Sequence, residues 1–190
     1  MEKAKVLIVV DTQNDFADGS LGTKEAVASI GPIVQKILDC KKKGYFILDT
    51  MDTHELDYPN TNEGRHLPVA HCVRNTKGWE TVPVIRAVLD QCNAVDIYKD
   101  RFGHLGLIDI IKQIASQQLG KPFKDGDDES LEITLIGWCT DICVISNALI
   151  LKAAFPEAEI IVDSKCCAGV TPELHEAALL ILKSCQITVV

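Results

Sequence analysis

Short runs of β-branched and other apolar residues alternate along the chain with segments whose apolar residues recur every three or four positions. The short runs are typical of buried strands, and the longer period is typical of amphipathic helices. The pattern predicts strands at 6–10, 45–49, 94–98, 133–136, 159–162 and 187–190. It predicts helices at 23–43, 83–91, 105–118, 141–154 and 172–184, the first with Thr23 as its cap.

Strands that are separated mostly by helices indicate a parallel sheet with right-handed crossovers. We therefore expect an α/β fold, a three-layer α/β/α sandwich with a mostly parallel six-stranded sheet, Rossmann-like, in one domain over residues 1–190. The polar stretch 51–82 indicates a long functional loop, and the charged stretch 121–130 an exposed one. Such folds place their sites outside the carboxyl ends of the strands, so the residues that follow each strand matter most.

Composition narrows the class of protein. Apolar residues make up 47% and charged residues 24% of the chain, which is typical of a globular protein with a core. A net charge of −8 argues against nucleic acid or an anionic membrane as the partner. The first apolar run ends at Asp11, too soon for a signal peptide, and no run is long enough for a membrane span. Eight cysteines without a secretion signal favour a reduced, cytoplasmic protein with mostly buried thiols.

Chemically compatible side chains follow the first three predicted strands. Asp11 follows the first strand, Asp52 and His54 follow the second, and Lys99 follows the third. Asp11 is either a turn aspartate or a general base for a thiol. Lys99 is either a solvated strand-end lysine or a cation that stabilises a thiolate and an oxyanion.

The fourth strand leads into a segment with two cysteines, G-W-C-T-D-I-C-V at 137–144. Its C-x-x-x-C spacing differs from the C-x-x-C spacing of redox and zinc sites. With Thr140 or Asp141 as the helix cap, Cys143 lies in the first turn, where free N–H groups and the helix dipole favour a thiolate. The N–H groups of Cys139 and Cys143 are then candidates for an oxyanion hole. The alternative is that both cysteines only pack.

The polar loop supplies candidate metal ligands. D-x-H in an extended backbone turns both side chains to one side, and two further ligands follow in the same loop. Imidazole and carboxylate groups suit zinc, iron or manganese. His66 is a less well-spaced alternative ligand, and a merely solvated polar loop is the other interpretation. The candidate metal set is Asp52, His54, Glu63 and His71.

Several segments of the sequence match those of a known family, in the same order, along nearly the whole chain. The matching segments are V-V-D-T-Q-N-D-F-A-D-G-S-L at 9–21, D-T-H at 52–54, H-C-V at 71–73, Y-K-D-R-F at 98–102, T-D-I-C-V at 140–144 and D-S-K-C-C-A-G-V-T-P-E-L-H-E-A at 163–177. The chain resembles the isochorismatase-like cysteine hydrolases, and among them the nicotinamidase/pyrazinamidase group.

The resemblance implies a set of roles for these residues. It implies a catalytic triad of Asp11, Lys99 and Cys143, and a cis peptide bond between Trp138 and Cys139. It also implies a divalent metal, most simply zinc, that meets the pyridine nitrogen of the substrate. Phe16 is expected to clamp the substrate, and Trp138 to border its pocket. The metal ligands that it implies are Asp52, His54 and His71, with Glu63 in the intervening position.

The resemblance also implies an activity. We expect an amidohydrolase that converts nicotinamide to nicotinate and ammonia through a thioester, assembled as a dimer or tetramer. Departures at the pocket leave another small amide, carbamoyl or ureido substrate open, because Pro68 stands where an aromatic residue is usual and Trp138 where a small one is usual. Asn147 replaces a commoner threonine. A non-catalytic ligand-binding module and a thiol redox protein are the alternatives of a different class.

Overall fold

A computed structural model of the chain describes residues 3–190, and within them six strands form one parallel sheet. The strands are ordered β3-β2-β1-β4-β5-β6, so β1 lies inside the sheet and the chain winds outward from it in both directions. This confirms the expected parallel six-stranded α/β fold. The strands are β1 (Ala4–Val10), β2 (Phe46–Asp52), β3 (Val95–Lys99), β4 (Leu131–Trp138), β5 (Glu159–Ala168) and β6 (Thr188–Val189).

Helices cover both faces of the sheet and give it two apolar cores. On one face, Leu7 and Val9 of β1 pack with apolar residues of α2 and α4. On the other face, Val6 and Ile8 pack with α5, α6 and α7. The continuous apolar run of β1 follows from burial on both sides. The helices are α1 (Asn14–Ala17), α2 (Lys24–Lys42), α3 (Asn62–His66), α4 (Pro83–Gln91), α5 (Leu107–Leu119), α6 (Ile145–Ala154) and α7 (Pro172–Ser184).

Several element boundaries differ from the predicted ones for physical reasons. Thr23 does cap α2, since its side chain accepts a hydrogen bond from Ala26 N at 3.0 Å. β2 continues three residues beyond its predicted end, because Asp52 pairs with Lys99 in the ladder with β3. The side chain of Gln13 also holds Asp52 by bonding to both its N–H and its C=O. The polar stretch 51–82 is partly helical, with a 3-10 turn at Tyr58–Asn60 followed by α3.

The chain leaves β4 through two residues with positive φ. Gly137 has φ +123 and Cys139 has φ +57. No peptide bond within residues 3–190 is cis, so the expected cis bond between Trp138 and Cys139 is wrong for this structure. The chain reverses instead by the left-handed conformation of Cys139. A Cβ atom at Gly137 would lie 2.1 Å from the carbonyl oxygen of Val10, so only glycine fits beside β1.

Within the described residues, no helix is long and apolar enough to cross a membrane.

Two constraints act at Gly137, its positive φ and the close approach of the Val10 carbonyl oxygen, and they can be separated experimentally. Gly137→Ala is expected to lower the free energy of unfolding by at least about 3 kcal/mol, because it adds a backbone clash to an unfavourable φ. Gly120→Ala is the matched control, since Gly120 also has positive φ, at +64, but nothing lies within 4 Å of its added Cβ. We expect Gly120→Ala to cost only about 1 kcal/mol. Urea unfolding measures both, and equal losses would contradict the close approach of β4 to β1.

Candidate active site

The carboxyl ends of four neighbouring strands bring the candidate catalytic residues together. Asp11 follows β1, Asp52 and Lys99 end β2 and β3, and Cys143 lies in the turn after β4. Asp52 and Lys99 face each other in the β2–β3 ladder. Residues far apart in the sequence thus meet at one edge of the sheet because the strands are parallel and adjacent.

Lys99 lies at the centre of this group. Its Nζ atom is 2.6 Å from Asp11 Oδ2, 3.4 Å from Asp52 Oδ1 and 3.7 Å from Cys143 Sγ. The side chains of Lys99 and Asp11 are completely buried. Thr50 donates a hydrogen bond of 2.8 Å to Asp11 Oδ1, which fixes the carboxylate on its other side. The lysine therefore contacts two carboxylates and a thiol within one buried cluster.

Burial and charge shift the pKa of each member of this cluster. Burial raises the pKa of Asp11, and the positive charge of Lys99 works against that rise. Burial raises the pKa of the Cys143 thiol well above its ordinary value, again against the effect of Lys99. Burial would lower the pKa of Lys99, but Asp11, Cys143 and Asp52 outweigh it and raise that pKa. A lysine that stays protonated beside a thiol and a carboxyl group of raised pKa permits proton transfer between those two groups.

The turn that carries Cys143 begins with a left-handed residue. Cys139 is the N-cap, and its carbonyl oxygen accepts hydrogen bonds from the N–H groups of Ile142 and Val144. The second of these closes a π-helical turn over Thr140–Val144, a local widening that is frequent at functional sites. Cys143 thus lies in the first turn, as expected.

Neither expected capping side chain performs that task. The Thr140 hydroxyl lies 2.8 Å from His175 Nδ1, and Asp141 Oδ1 accepts a hydrogen bond from Val170 N. These two bonds join the turn to α7 and to the segment that precedes it, so the capping prediction is wrong. Within the described chain, Cys139 N–H donates no hydrogen bond to another residue, which leaves it available to a ligand.

The four candidate metal ligands converge beside the cluster of Lys99. Each of them offers one ligand atom, and these atoms lie within 4.8 Å of one another. Asp52 Oδ2 is 3.0 Å from His54 Nε2 and 3.4 Å from His71 Nε2. Glu63 Oε1 lies 3.6 Å from His54 Nε2 and 3.7 Å from His71 Nε2. His66 lies outside this group, with its Nδ1 beside the carbonyl oxygen of Asn62.

The surroundings of the four side chains fit a divalent metal. His71 Nδ1 lies 2.9 Å from the carbonyl oxygen of Val69, which favours a proton on Nδ1 and leaves Nε2 free to bind metal. The ring of Tyr58 packs against both imidazoles, with its centroid 4.5 Å from that of His54 and 5.0 Å from that of His71. Two imidazoles and two carboxylates suit zinc, iron or manganese. Asp52 joins this group to Lys99, because it uses one oxygen for each.

A small apolar cavity of about 180 Å³ opens onto both groups. An apolar cavity of roughly 150 Å³ holds a benzene molecule, so this one suits a single six-membered ring. Phe16, 5.7 Å from the His71 ring, and Trp138 both line it, as expected from the sequence. Pro68 is exposed, and Leu67 contributes the wall there. The lining residues are Phe16, Leu21, Thr23, Ala26, Asp52, Glu63, Leu67, His71, Phe102, Trp138, Cys139, Ile142, Cys143, Ala168, Gly169 and Val170.

Sequence reasoning missed several residues that shape the site. Tyr58 and Gln13 support the metal ligands, and Phe102 lines the cavity from within the Y-K-D-R-F segment. Asn147 donates a hydrogen bond of 2.9 Å to the carbonyl oxygen of Cys143. Asn147 stands out in the sequence only as a replacement for a commoner threonine, without this hydrogen bond, and Tyr58, Gln13 and Phe102 do not stand out by type or spacing.

Comparisons with known proteins agree with this geometry. The family model of the isochorismatase domain matches residues 5–190. The structure of the nicotinamidase/pyrazinamidase PncA from Bacillus subtilis is similar with a TM-score of 0.76 and 26% identity, covering 100% of this chain and 99% of that one. For the pyrazinamidase of Pyrococcus horikoshii in complex with zinc, the TM-score is 0.74 and the identity 27%, with 98% of each chain covered.

A third solved structure carries a different activity in its name. The N-carbamoylsarcosine amidase from Thermoplasma acidophilum is similar with a TM-score of 0.72 and 26% identity, covering 100% of this chain and 95% of that one. Its identity to this chain equals that of the Bacillus subtilis enzyme, so identity alone does not separate the two substrate classes. With a family model that spans almost the whole chain and a sheet that matches these structures, the chain belongs to the isochorismatase family of hydrolases.

Proposed function

We propose that the chain is a metal-containing cysteine amidohydrolase that converts nicotinamide to nicotinate and ammonia. The observation that carries this proposal is the shared position of Asp52. It contacts Lys99 of the Asp11–Lys99–Cys143 cluster with one oxygen and the two imidazoles of the metal group with the other. A substrate ring in the adjoining cavity can therefore reach the thiol and the metal group at the same time.

The first half of the reaction uses the buried cluster. Asp11 takes the proton of Cys143, while the ammonium group of Lys99 stabilises both negative charges. The thiolate then attacks the amide carbonyl carbon and forms a tetrahedral intermediate. The N–H groups of Cys139 and Cys143 stabilise the oxyanion. Asp11 returns the proton to the leaving nitrogen, so that ammonia departs and a thioester with Cys143 remains.

The second half returns the enzyme to its starting state. Water attacks the thioester carbon while Asp11 accepts one of its protons. Asp11 then gives that proton to the leaving sulfur of Cys143, and the nicotinic acid that is released ionises to nicotinate. A divalent metal bound by Asp52, His54, Glu63 and His71, for which we propose zinc, would supply a Lewis acid for the pyridine nitrogen lone pair. The chain itself orients the ring, since Phe16 and Trp138 bound the cavity beside His71.

The lining of the cavity favours an uncharged aromatic amide over a carbamoyl amino acid. No lysine or arginine of the described chain lines it, and the lysine behind it, Lys99, is already paired with Asp11. Asp52 and Glu63 border the same space. A free carboxylate on the substrate would thus find no lysine or arginine among the lining residues, and both positive charges of the proposed metal are already offset by the carboxylates of Asp52 and Glu63. Hydrolysis of a carbamoyl substrate is the second candidate, favoured by the similarity to N-carbamoylsarcosine amidase.

The nucleophile can be tested by the release of ammonia. Cys143→Ala is expected to lower kcat for nicotinamide by at least about a thousandfold, because it removes the thiol that contacts Lys99 and that forms the proposed thioester. Cys92→Ala is the matched control, since Cys92 is also buried but lies at the end of α4. It should retain nearly full activity. Turnover by Cys143→Ala at a rate near that of the wild type would remove Cys143 from the proposed role.

The metal ligands can be tested by metal content. The protein is first stripped of metal with a chelator and then dialysed against one equivalent of zinc. After this treatment we expect His71→Ala to contain less zinc than the wild type, and its activity to be at least about a hundredfold lower. His66→Ala, an imidazole of the same loop outside the ligand group, should keep one metal per chain. Elemental analysis of both variants measures this. The same metal content in His71→Ala and in the wild type would contradict the assignment.

The substrate class can be tested with matched amides. Benzamide keeps the ring and the amide of nicotinamide but lacks the pyridine nitrogen. Its kcat/KM should be lower by about a hundredfold or more, because the metal loses its partner on the substrate. An N-carbamoyl amino acid should be hydrolysed far more slowly, because no lysine or arginine lines the cavity to pair with its carboxylate. Faster turnover of the carbamoyl compound than of nicotinamide would establish the second candidate instead.

A further inference from the structure

Asn147 joins the helix of the proposed nucleophile to the opposite wall of the cavity. Its side chain is completely buried on α6, one turn after Cys143. Its Nδ2 donates hydrogen bonds to the carbonyl oxygens of Cys143 at 2.9 Å and of Phe102 at 3.4 Å. Its Oδ1 accepts one from His104 N at 2.9 Å. One amide thus holds the peptide group of the nucleophile and two residues of the segment that follows β3.

The backbone between these two residues also lies directly on α6. A Cβ atom added at Gly103 would lie 2.5 Å from Ile150 Cδ1 and 3.3 Å from the carbonyl carbon of Ser146. The segment therefore approaches the helix closely at Gly103, with an Asn147 contact on each side of that glycine. This arrangement fixes the height of residues 102–104 above the helix.

Phe102 depends on this fixation for its position. The residue is 46% exposed, so its ring is not locked in either apolar core. It nevertheless lines the ring-sized cavity and also an outer cleft of about 880 Å³. Glu63, Leu67 and Ile142 also line both spaces, so these three residues and Phe102 form the wall between them. The position of the Phe102 ring therefore affects the width of the inner cavity. Asn147 holds the backbone of Phe102 by its hydrogen bond to the carbonyl oxygen.

We infer that Asn147 is a positioning residue that fixes the Phe102 wall relative to Cys143 and thereby sets the fit of the substrate ring. The inference rests on the proposed amidohydrolase function, because it assigns the ring to that cavity. A planar amide offers an acceptor and two donors in one rigid group, which this arrangement uses completely. Threonine has a single hydroxyl group, and aspartate has no donor when ionised, so neither can make all three bonds.

Steady-state kinetics with nicotinamide tests this role. Asn147→Ala should raise KM about tenfold and change kcat by less than about threefold, because the wall moves while the catalytic cluster stays. Phe102→Ala should raise KM as well. In the double variant, KM should stay within about twofold of that of Phe102→Ala alone, since the effect of Asn147 passes through Phe102. Should Asn147→Ala fail to fold, Asn147→Asp keeps the shape and the acceptor for His104 N but loses both donors.

Gln118→Ala is the matched control for a general loss of stability. The Gln118 amide also bonds to backbone on both its atoms, through Lys5 N, Lys5 O and Gly44 O, far from the site. Its KM should equal that of the wild type. An increase in KM for Gln118→Ala of the same size as for Asn147→Ala would overturn the inference. So would a fully additive effect of Asn147→Ala in the Phe102→Ala background.

A second measurement does not require hydrolysis. The rate at which iodoacetamide alkylates Cys143, followed by mass spectrometry of the peptide, should rise in Asn147→Ala because the wall over the thiol is no longer held. It should stay unchanged in Gln118→Ala. A wild type that hydrolyses no ring amide would contradict the proposed function, while this comparison would still test the wall. Alkylation at the same rate in Asn147→Ala and the wild type, with equal KM, would overturn the inference.

Discussion

The buried ammonium group of Lys99 is the constraint on which the rest of the site depends. A charge without solvent is tolerated only when opposite charges and hydrogen bonds surround it. Here Asp11 and Asp52 supply the charges, so the ends of β1, β2 and β3 must meet around one atom. Lys99 is the only buried residue of β3, an edge strand whose other residues are exposed or half-buried. Ion pairing in place of apolar burial thus fixes this end of the strand.

Asp52 extends that constraint to the metal group. Because its two oxygens face Lys99 and the two imidazoles, its pKa is lowered despite burial by its hydrogen bonds with His54 and His71 and by Lys99. The carboxylate is therefore ionised before any metal binds. A change in the charge of Lys99 or of the two imidazoles therefore alters the electrostatic energy of the same carboxylate. Gln13 and the β2–β3 ladder hold the backbone of Asp52 in place. The sheet thus places the proposed thiol nucleophile and the candidate metal ligands on either side of one carboxylate.

The meeting of these side chains at one sheet edge could be predicted from the sequence, because it follows from the topology of a parallel sheet. Asp11 and Lys99 directly follow predicted strands, Cys143 lies in the turn after another, and parallel strands bring such ends together. What escaped prediction are partners of buried polar groups. Asn147 lies in a predicted helix and Tyr58 in a polar stretch interpreted as a loop, and their hydrogen bonds and ring contacts depend on segments distant in sequence. The capping role expected of Thr140 or Asp141 failed for the same reason, since His175 and Val170 N provide competing partners.

Three of the six non-glycine residues with positive φ in the described chain lie at this site. Asp11, Cys72 and Cys139 all have positive φ without being glycine, and they adjoin the catalytic cluster, a metal ligand and the nucleophile turn. Such conformations cost about 1 kcal/mol or more each and persist where surrounding structure determines them. Glycine would relieve the strain, but at Asp11 it would remove the proposed base. At Cys72, which is completely buried, it would leave a cavity in the core. At Asp11 and Cys72 the side chain thus requires the strained backbone conformation to be kept. At Gly137 the backbone contact with β1 excludes any side chain.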